Sequence, residues 1–449
     1  MKIRRIVSLF LLSILMTGLL LTPQAAALEA IDAKATAALL VDLDGDMVLY
    51  GKNENEKRYP ASITKVMTAL LVLEAVDEGK LSLTQEITAK ESSFKGLDPD
   101  GSSAGIEPGE TMSVENMLYC MLLISANETC NILAEAVDGD VPTFVEHMNR
   151  RAEELGCKNT HFANPNGLHN PDHYTTAWDI FLIAKEAMKN DTFMKICNTI
   201  AYEVPATNKS EPRELHTTNS LISNWRILGY LYDGASGIKT GTTDEAGHCL
   251  VSSASRSGRT LVCVVLGCEG DDTHVESFSE TARLYDYGFN NFSTRVILEK
   301  NEMIQEVPVA LSKESSAVVV HPANDVTATL PNDVKPEDLQ RTVTLNSETA
   351  LAPIAAGDVL GKITISYDGH ECASADLLAQ YDVSASRFLT AKYQIFQFFH
   401  KTVVQVVLVL LVILAIAIFV WFKFFRRNRR YGGRRPQYKG RRSYRGHHR

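Results

Sequence analysis

At 449 residues the chain is too long for a single hydrophobic core, and 45 Lys and Arg against 54 Asp and Glu give a formal net charge of −9. Twelve of the cations lie after residue 422 and three before residue 6, so the body between them holds 30 basic against 54 acidic residues. So anionic a body argues against a nucleic-acid partner.

Lys2, Arg4 and Arg5 precede an apolar run from Ile6 to about Leu21. Ala25-Ala26-Ala27 then offers a small-residue cleavage site, so residues 1–27 read as a signal peptide and the working part as exported. A retained N-terminal anchor is the alternative. Ala37–Val41 and Met47–Tyr50 read as strands paired around an Asp-Gly turn. That turn, Asp42-Leu43-Asp44-Gly45-Asp46, imitates the start of a calcium loop but lacks its distal Glu.

Tyr59-Pro60-Ala61 leads into Ile63–Val76, apolar at helical spacing, which places Ser62 at or near a helix N-terminus. Asn116–Leu123 and Ala126–Val137 read as helices on either side of Ser125, and Phe144–Leu155 and Ala177–Met188 as two more. Gly237–Gly241, Cys249–Ala254 and Leu261–Leu266 read as strands, and Glu280–Phe289 as a closing helix. Strands at both ends with a helical middle predict an α+β domain, residues 28–291, with its site at the seam between layers.

After Asn291 the pattern changes to short alternating segments, Arg295–Leu298, Ala317–Val320, Thr342–Leu345 and Val359–Ile365, separated by turn residues. They predict a small β-rich domain over residues 292–385. Residues 386–402 form a juxtamembrane stretch. Val403–Phe422 has one polar residue, Gln405, and no charge, and is long enough to cross a bilayer. Phe396, Phe398, Phe399, Trp421, Phe424 and Phe425 crowd its ends, where aromatic rings suit the interface. Residues 423–449 are basic without an acid, so the expected topology is an outer body, one C-terminal span and a cytoplasmic tail.

Of the eight cysteines none makes a Cys-x-x-Cys pair, and several sit in apolar runs. Most read as small buried hydrophobes, with room for one or two disulfides after export. His161, His169 and His173 lack metal-site spacing, and neither a metal nor another cofactor is implied.

Three short motifs carry the chemistry: Ser62-Ile-Thr-Lys65, Ser125-Ala-Asn127 and Lys239-Thr240-Gly241. Acyl transfer at an amide needs an activated hydroxyl, a place for its proton and donors for the developing oxyanion. Residues three apart on a helix share a face, so Lys65 can reach the Ser62 hydroxyl. Lys65 acts as a base only when neutral, which a dry site and a second cation, Lys239, both favour. Lys239 can also attract a substrate carboxylate. The Ser62 N–H and an N–H on the Lys239–Thr242 strand can serve the oxyanion, while Ser125 and Asn127 can relay a proton and hold the substrate amide.

Each motif alone is weak. Ser62 by itself reads as a helix cap, Ser125-Ala-Asn127 as a turn between helices, and Lys239-Thr-Gly as a solvated strand end. Ser92–Lys95 and Ser236–Lys239 repeat the Ser-x-x-Lys spacing, but the first lies in a polar loop and the second runs into a strand, where residues three apart face opposite sides.

The ordered set, with its surroundings, resembles the serine D-Ala-D-Ala carboxypeptidases, the low-molecular-weight penicillin-binding proteins. Arg58–Thr68 resembles the family's nucleophile helix and Leu123–Glu128 its second motif. Asn164-Pro-Asn-Gly-Leu168, Thr175-Thr-Ala-Trp-Asp179 and Asp233–Gly247 match further signatures, so the likeness spans about residues 30–290. The resemblance implies a transpeptidase-type domain, an antiparallel sheet flanked by helices with a helical subdomain. It implies removal of the terminal D-alanine from peptidoglycan pentapeptide stems through an acyl-enzyme on Ser62, and acylation of Ser62 by β-lactams. By the family pattern Lys65 is the base, Ser125 and Asn127 line the cleft, and Lys239 with Thr240 binds the substrate carboxylate. The N–H groups of Ser62 and Thr242 form the oxyanion hole, beside Gly241.

The chain departs from the pattern in three places. Glu128 and Cys130 stand where relatives often carry Asp and Ala, at positions expected behind the site. The stretch after Gly267, where relatives often place a carboxylate-binding Arg, offers only His274. The anchor is a full span where many relatives use an amphipathic helix. Competing readings are a class A-type β-lactamase, whose deacylating Glu has no evident counterpart, a D,D-endopeptidase or transpeptidase, and a non-catalytic β-lactam sensor, for which the 27 residues after the span are too few for a signalling domain.

Overall fold

The computed structural model describes residues 31–271 and 273–428. The signal-peptide segment, residues 1–27, and the tail from residue 429 lie outside the described residues. Contacts divide the chain into two units: one runs to Ile297 and includes 326–341 and 365–373, and the other comprises 298–325, 342–364 and 374 onward.

The first unit opens on strands β1 (Ala37–Asp42) and β2 (Met47–Lys52), paired antiparallel around the expected Asp-Gly turn. The Asp42 carboxylate closes that turn by accepting from the N–H groups of Asp44 and Gly45, at 3.1 and 3.2 Å, so it serves the hairpin. Helix α1 (Lys65–Asp77) follows a 3-10 turn, Ala61–Thr64. Every residue of α1 from Lys65 to Leu73 is buried, the mark of a helix enclosed on all sides.

Helices α2 (Val114–Leu123) and α3 (Asn127–Asp138) lie on either side of a three-residue break that holds Ser125. Ser113 caps α2 by accepting from the Asn116 N–H at 3.3 Å. Helices α4 (Val141–Glu154), α5 (Ala177–Ala187) and α6 (Asp191–Cys197) complete the middle of the unit. Strands β3 (Ala235–Thr243), β4 (Gly247–Arg256) and β5 (Arg259–Cys268) then return to the sheet, before helix α7 (Glu276–Asn291).

The five strands pair in the order β2-β1-β5-β4-β3, all antiparallel, which leaves β3 at an edge. Alternate residues enter two different cores. Leu39, Val41, Val262 and Val264 pack in one cluster with α1, α2 and α3; Ala38, Leu40, Cys263 and Val265 pack in the other with Leu284 and Tyr285 of α7. A sheet covered on both faces explains the almost unbroken apolar runs of β1 and β5.

The elements expected from sequence are present, most of them one to four residues longer. The expectation that cysteines act as buried hydrophobes also holds: six of the eight are buried and all eight are free. Not foreseen were α6 and two short antiparallel pairs, Glu86–Thr88 with Thr111–Ser113 and Ala201–Val204 with Arg213–His216. These strands have three or four residues each and carry little alternation, so periodicity does not show them.

Further along the chain a six-stranded sheet has the spatial order Gln340–Leu345, Val359–Tyr367, His370–Ala379, Ala317–Pro322, Gln305–Ala310, Ala350–Leu351. The segment Arg295–Leu298 instead falls in a strand, Phe292–Leu298, that pairs with Val326–Pro331. Two helices close the described chain, α8 (Arg387–His400) and α9 (Thr402–Asn428). Thr402–Arg426 is the one helix among the described residues long and apolar enough to cross a membrane.

A buried ion pair ties the Arg213–His216 strand to the rest of the first unit. Glu110, fully buried, accepts from Arg213 Nη1 and Nη2 at 2.6 and 2.9 Å and from Thr207 Oγ1 at 2.7 Å. Arg213→Met would leave that carboxylate buried and unpaired, and it is expected to cost about 3–5 kcal/mol. Thr207→Val, which removes one neutral donor, should cost about 1 kcal/mol. Urea unfolding of the two variants beside wild type checks the difference.

Candidate active site

Four pieces of chain converge at the head of α1. The first is the 3-10 turn that presents Ser62, with Ala61 at φ 48°. Pro60 begins this turn and Thr64 fastens it, donating from Oγ1 to the Ala61 carbonyl at 2.8 Å. His173 braces Thr64 from behind. Its Nδ1 accepts from the Ala163 N–H at 3.0 Å, so its Nε2 carries the proton and donates to Thr64 Oγ1 at 2.8 Å. Burial, with the charges of His161 and Lys65 nearby, pulls His173 down to about 3 and keeps it neutral.

The second piece is Lys65, the first residue of α1 and fully buried. Its Nζ lies 2.9 Å from Ser62 Oγ, 2.8 Å from Asn127 Oδ1 and 2.5 Å from the Asn166 carbonyl. The two carbonyl oxygens can only accept; the Ser62 hydroxyl can also donate. A neutral Lys65 therefore spends both N–H bonds on Asn127 and Asn166 and turns its lone pair to the Ser62 proton. Burial favours that neutral form and lowers Lys65 to about 8, against the opposing pull of Cys130 and Glu128.

The third piece is the break between α2 and α3. Ser125 adopts φ 65°, a left-handed conformation that costs a non-glycine residue about 1–3 kcal/mol. Among the described residues its buried Oγ has no hydrogen-bond partner. That leaves the hydroxyl able to bond a group that enters the site. Asn127, two residues on, opens α3 and is held by its N–H to the Ser102 carbonyl at 2.9 Å.

The fourth piece is the edge strand β3. Lys239 is buried and donates to the Thr240 carbonyl at 2.9 Å. Burial first, and the Lys65 charge second, lower it to about 7. Thr240 Oγ1 is 2.7 Å from Thr218 Oγ1, and Thr242 Oγ1 is 3.1 Å from His248 Nδ1. Gly241 permits the approach of the strand to the nucleophile turn: a Cβ there would lie 3.0 Å from the Ser62 nitrogen and 3.1 Å from the Ile63 nitrogen.

The structure thus gathers Ser62, Lys65, Asn127, Lys239 and Gly241 in one seam, with Ser125 open at its side and Thr240 and Thr242 along the edge strand. Glu128 and Cys130 do lie behind it. Glu128 Oε1 accepts from the Ala104 N–H and Ser103 Oγ at 2.7 and 2.8 Å, and the Cys130 thiol is buried and held up to about 11. The other Ser-x-x-Lys spacings form no such site: Ser92 and Lys95 are both exposed, at the 3-10 turn Glu91–Phe94, and Ser236–Lys239 is part of β3.

Residue-type reasoning missed the part played by Asn166. It contributes a backbone carbonyl, for which side-chain chemistry leaves no mark. The signal was the turn sequence Asn164–Leu168 itself. Asn164 Oδ1 accepts from the Gly167 N–H at 2.7 Å, and Gly167 takes φ 88°, where a Cβ would stand 1.9 Å from the Ala61 carbonyl oxygen. Only glycine lets this loop rest on the nucleophile turn and aim the Asn166 carbonyl at Lys65.

A serine paired with a buried lysine, at the seam of a helical layer and a five-stranded antiparallel sheet, defines a serine hydrolase of the penicillin-binding fold. The chain belongs to the D-alanyl-D-alanine carboxypeptidase family, which it matches over residues 23–270, while residues 292–385 match the C-terminal domain of penicillin-binding protein 5. It is 32% identical to the D-alanyl-D-alanine carboxypeptidase DacF of Bacillus subtilis over 398 residues, 85% of this chain and 96% of that one. The crystal structure of penicillin binding protein 5 from Haemophilus influenzae aligns with a TM-score of 0.64 at 30% identity, over 80% of this chain and 100% of that one. The DD-transpeptidase of Streptomyces K15 aligns with a TM-score of 0.52 at 29% identity, over 58% of this chain and 98% of that one.

Gly167→Ala should both destabilise and inactivate, because its Cβ meets a backbone atom that cannot move aside without shifting Ser62. A loss of at least about 2 kcal/mol is expected from the left-handed conformation and the clash together. Thermal melting and the rate of covalent labelling by a fluorescent penicillin measure the two effects; a variant with wild-type values of both would contradict this account of the loop.

Proposed function

We propose that the chain is a serine D-Ala-D-Ala carboxypeptidase that removes the terminal D-alanine from peptidoglycan pentapeptide stems, with Ser62 as nucleophile. One observation carries the assignment of roles. Once Lys65 is neutral, the two carbonyl acceptors on its N–H groups leave its lone pair for the Ser62 hydroxyl, 2.9 Å away.

Neutral Lys65 takes the Ser62 proton as Oγ attacks the carbonyl carbon of the D-Ala–D-Ala amide. The N–H groups of Ser62 and Thr242 receive the oxyanion, which Gly241 allows by its close approach to Ser62. Collapse of the tetrahedral intermediate breaks the C–N bond, and the departing amine takes a proton from the Ser125 hydroxyl, which Lys65 resupplies. Water then attacks the Ser62 ester by the same route and frees the shortened stem. Asn127 holds Lys65 and the substrate amide, and Lys239 with Thr240 receives the carboxylate. A β-lactam, itself a strained cyclic amide, acylates Ser62 in the first step.

Residues 28–291 are proposed as the catalytic domain, 292–385 as the β-rich domain and 386–402 as the juxtamembrane segment. The apolar helix supports a single-pass anchor over residues 403–422. The basic residues after it support a cytoplasmic tail and an extracytoplasmic body, and the leader of residues 1–27 supports export. Trimming of stems there bears on cross-linking and so on cell shape.

D-alanine released from a diacyl-Lys-D-Ala-D-Ala peptide tests the reading. Wild type should release it, and Ser62→Ala should lose at least about 1,000-fold in kcat. Well-folded wild type that binds penicillin covalently without releasing D-alanine would instead favour an endopeptidase, a transpeptidase or a sensor. The pH dependence is a separate check. Lys65 must be neutral to act, and its lowered value means that it loses its proton as pH rises toward about 8. Acylation should therefore be slow at pH 6 and climb through pH 7–8; a rate falling over that range would argue against Lys65 as the base.

A further inference from the structure

Beside the edge strand lies a cavity of about 360 Å³, lined by Thr218, Thr240, Thr242, Val275, Phe278 and Arg226. With Ser277, four hydroxyl residues and one guanidinium line it, beside the apolar Ile227, Val275 and Phe278. Arg226 is the one Lys or Arg on its wall, and it is exposed. Among the described residues no hydrogen bond or ion pair engages its guanidinium. Asp271 also lines the cavity, but its Oδ1 is taken up within its own turn, accepting from the Thr273 N–H, Thr273 Oγ1 and the His274 N–H at 2.7, 2.7 and 2.8 Å.

His274, the residue standing where relatives often place an Arg, has another occupation. Its Nδ1 lies 3.0 Å from the Tyr230 hydroxyl, which also accepts from the Val275 N–H at 3.1 Å. The Tyr230 ring rests against Phe278 at 5.4 Å. Tyr230 thus pins the segment that carries Arg226 to the turn that carries His274, while His274 itself does not line this cavity.

We propose that Arg226 is the anchor for the terminal carboxylate of the substrate, acting with the Thr240 and Thr242 hydroxyls, and that Tyr230 and His274 are positioning residues that hold its segment. The inference rests on the carboxypeptidase reading and adds to it which residue selects a free C-terminus. A guanidinium suits the task because it stays charged at every physiological pH and can donate two parallel bonds to one carboxylate. Lys239 cannot supply that constancy. It is buried, already donates to the Thr240 carbonyl and is lowered to about 7, partly by the charge of Arg226 itself.

The test compares, on the full chain, a diacyl-Lys-D-Ala-D-Ala peptide with its C-terminal amide. Wild type should prefer the free acid. Arg226→Ala should lower kcat/KM for the acid by roughly 10- to 100-fold, mainly through KM, and shrink the preference for acid over amide by the same factor. Arg226→Lys should restore part of it, with melting temperature as the check on folding. A preference unchanged in Arg226→Ala would overturn the proposal, as would a preference erased by His274→Ala and kept in Arg226→Ala. Wild type that cleaves neither peptide would sink the carboxypeptidase reading itself, an outcome distinct from either.

Discussion

Two lysine side chains are buried within reach of each other's charge where a helical layer meets the edge of a sheet, and the surrounding structure is arranged to make that tolerable. An isolated ammonium in such a place costs several kcal/mol, and the usual response is loss of its proton. Lys65 and Lys239 are both lowered, to about 8 and about 7, chiefly by burial. The same circumstance that makes the site expensive to fold makes a lysine basic enough, yet neutral enough, to serve as a proton acceptor. The proposed mechanism needs the two to divide the work, with Lys65 neutral and Lys239 charged. A carboxylate bound at Lys239 would settle that division, since it would favour the charged form of Lys239, whose charge in turn would disfavour a proton on Lys65.

Holding this pair demands rigid backing from every side. Helix α1 supplies it by being enclosed along most of its length, so that Lys65 projects from a fixed point. The sheet supplies it through two cores, one on each face, which fix β3 although it is an edge strand. Glycine does the rest at two places, Gly167 and Gly241, where a single added carbon would strike the nucleophile turn. Strain is stored there as well, in Ala61 and Ser125, both non-glycine residues at positive φ. A well-packed surrounding can sustain such residues, and their presence at this seam fits a site built for transfer of an acyl group.

Much of the molecule could be read in advance. The apolar run of Ile63–Val76 and the almost unbroken runs of β1 and β5 each follow from which faces must be covered. The eight candidate site residues were legible because acyl transfer needs particular side chains in a particular order, and three motifs in sequence are far rarer than one. The short strands Ala201–Val204 and Arg213–His216 were not legible, because four residues each carry too little alternation to show, and the bond that ties them to the rest joins Arg213 to Glu110, 103 residues away. Nor was the carbonyl of Asn166, which any residue type could in principle supply.

The sequence by itself determined the kinds of group available: a serine three residues before a lysine, a second lysine on a strand, an apolar helix near the C-terminus. These are properties of covalent order and composition, and they survive without knowledge of the fold. Only the tertiary structure decided which partners each group keeps. It set both carbonyls on Lys65, occupied His274 with Tyr230 and, among the described residues, left the Ser125 hydroxyl and the Arg226 guanidinium without a partner. Those outcomes depend on distances between segments more than 60 residues apart in several cases, and on solvent exclusion, which no local pattern encodes.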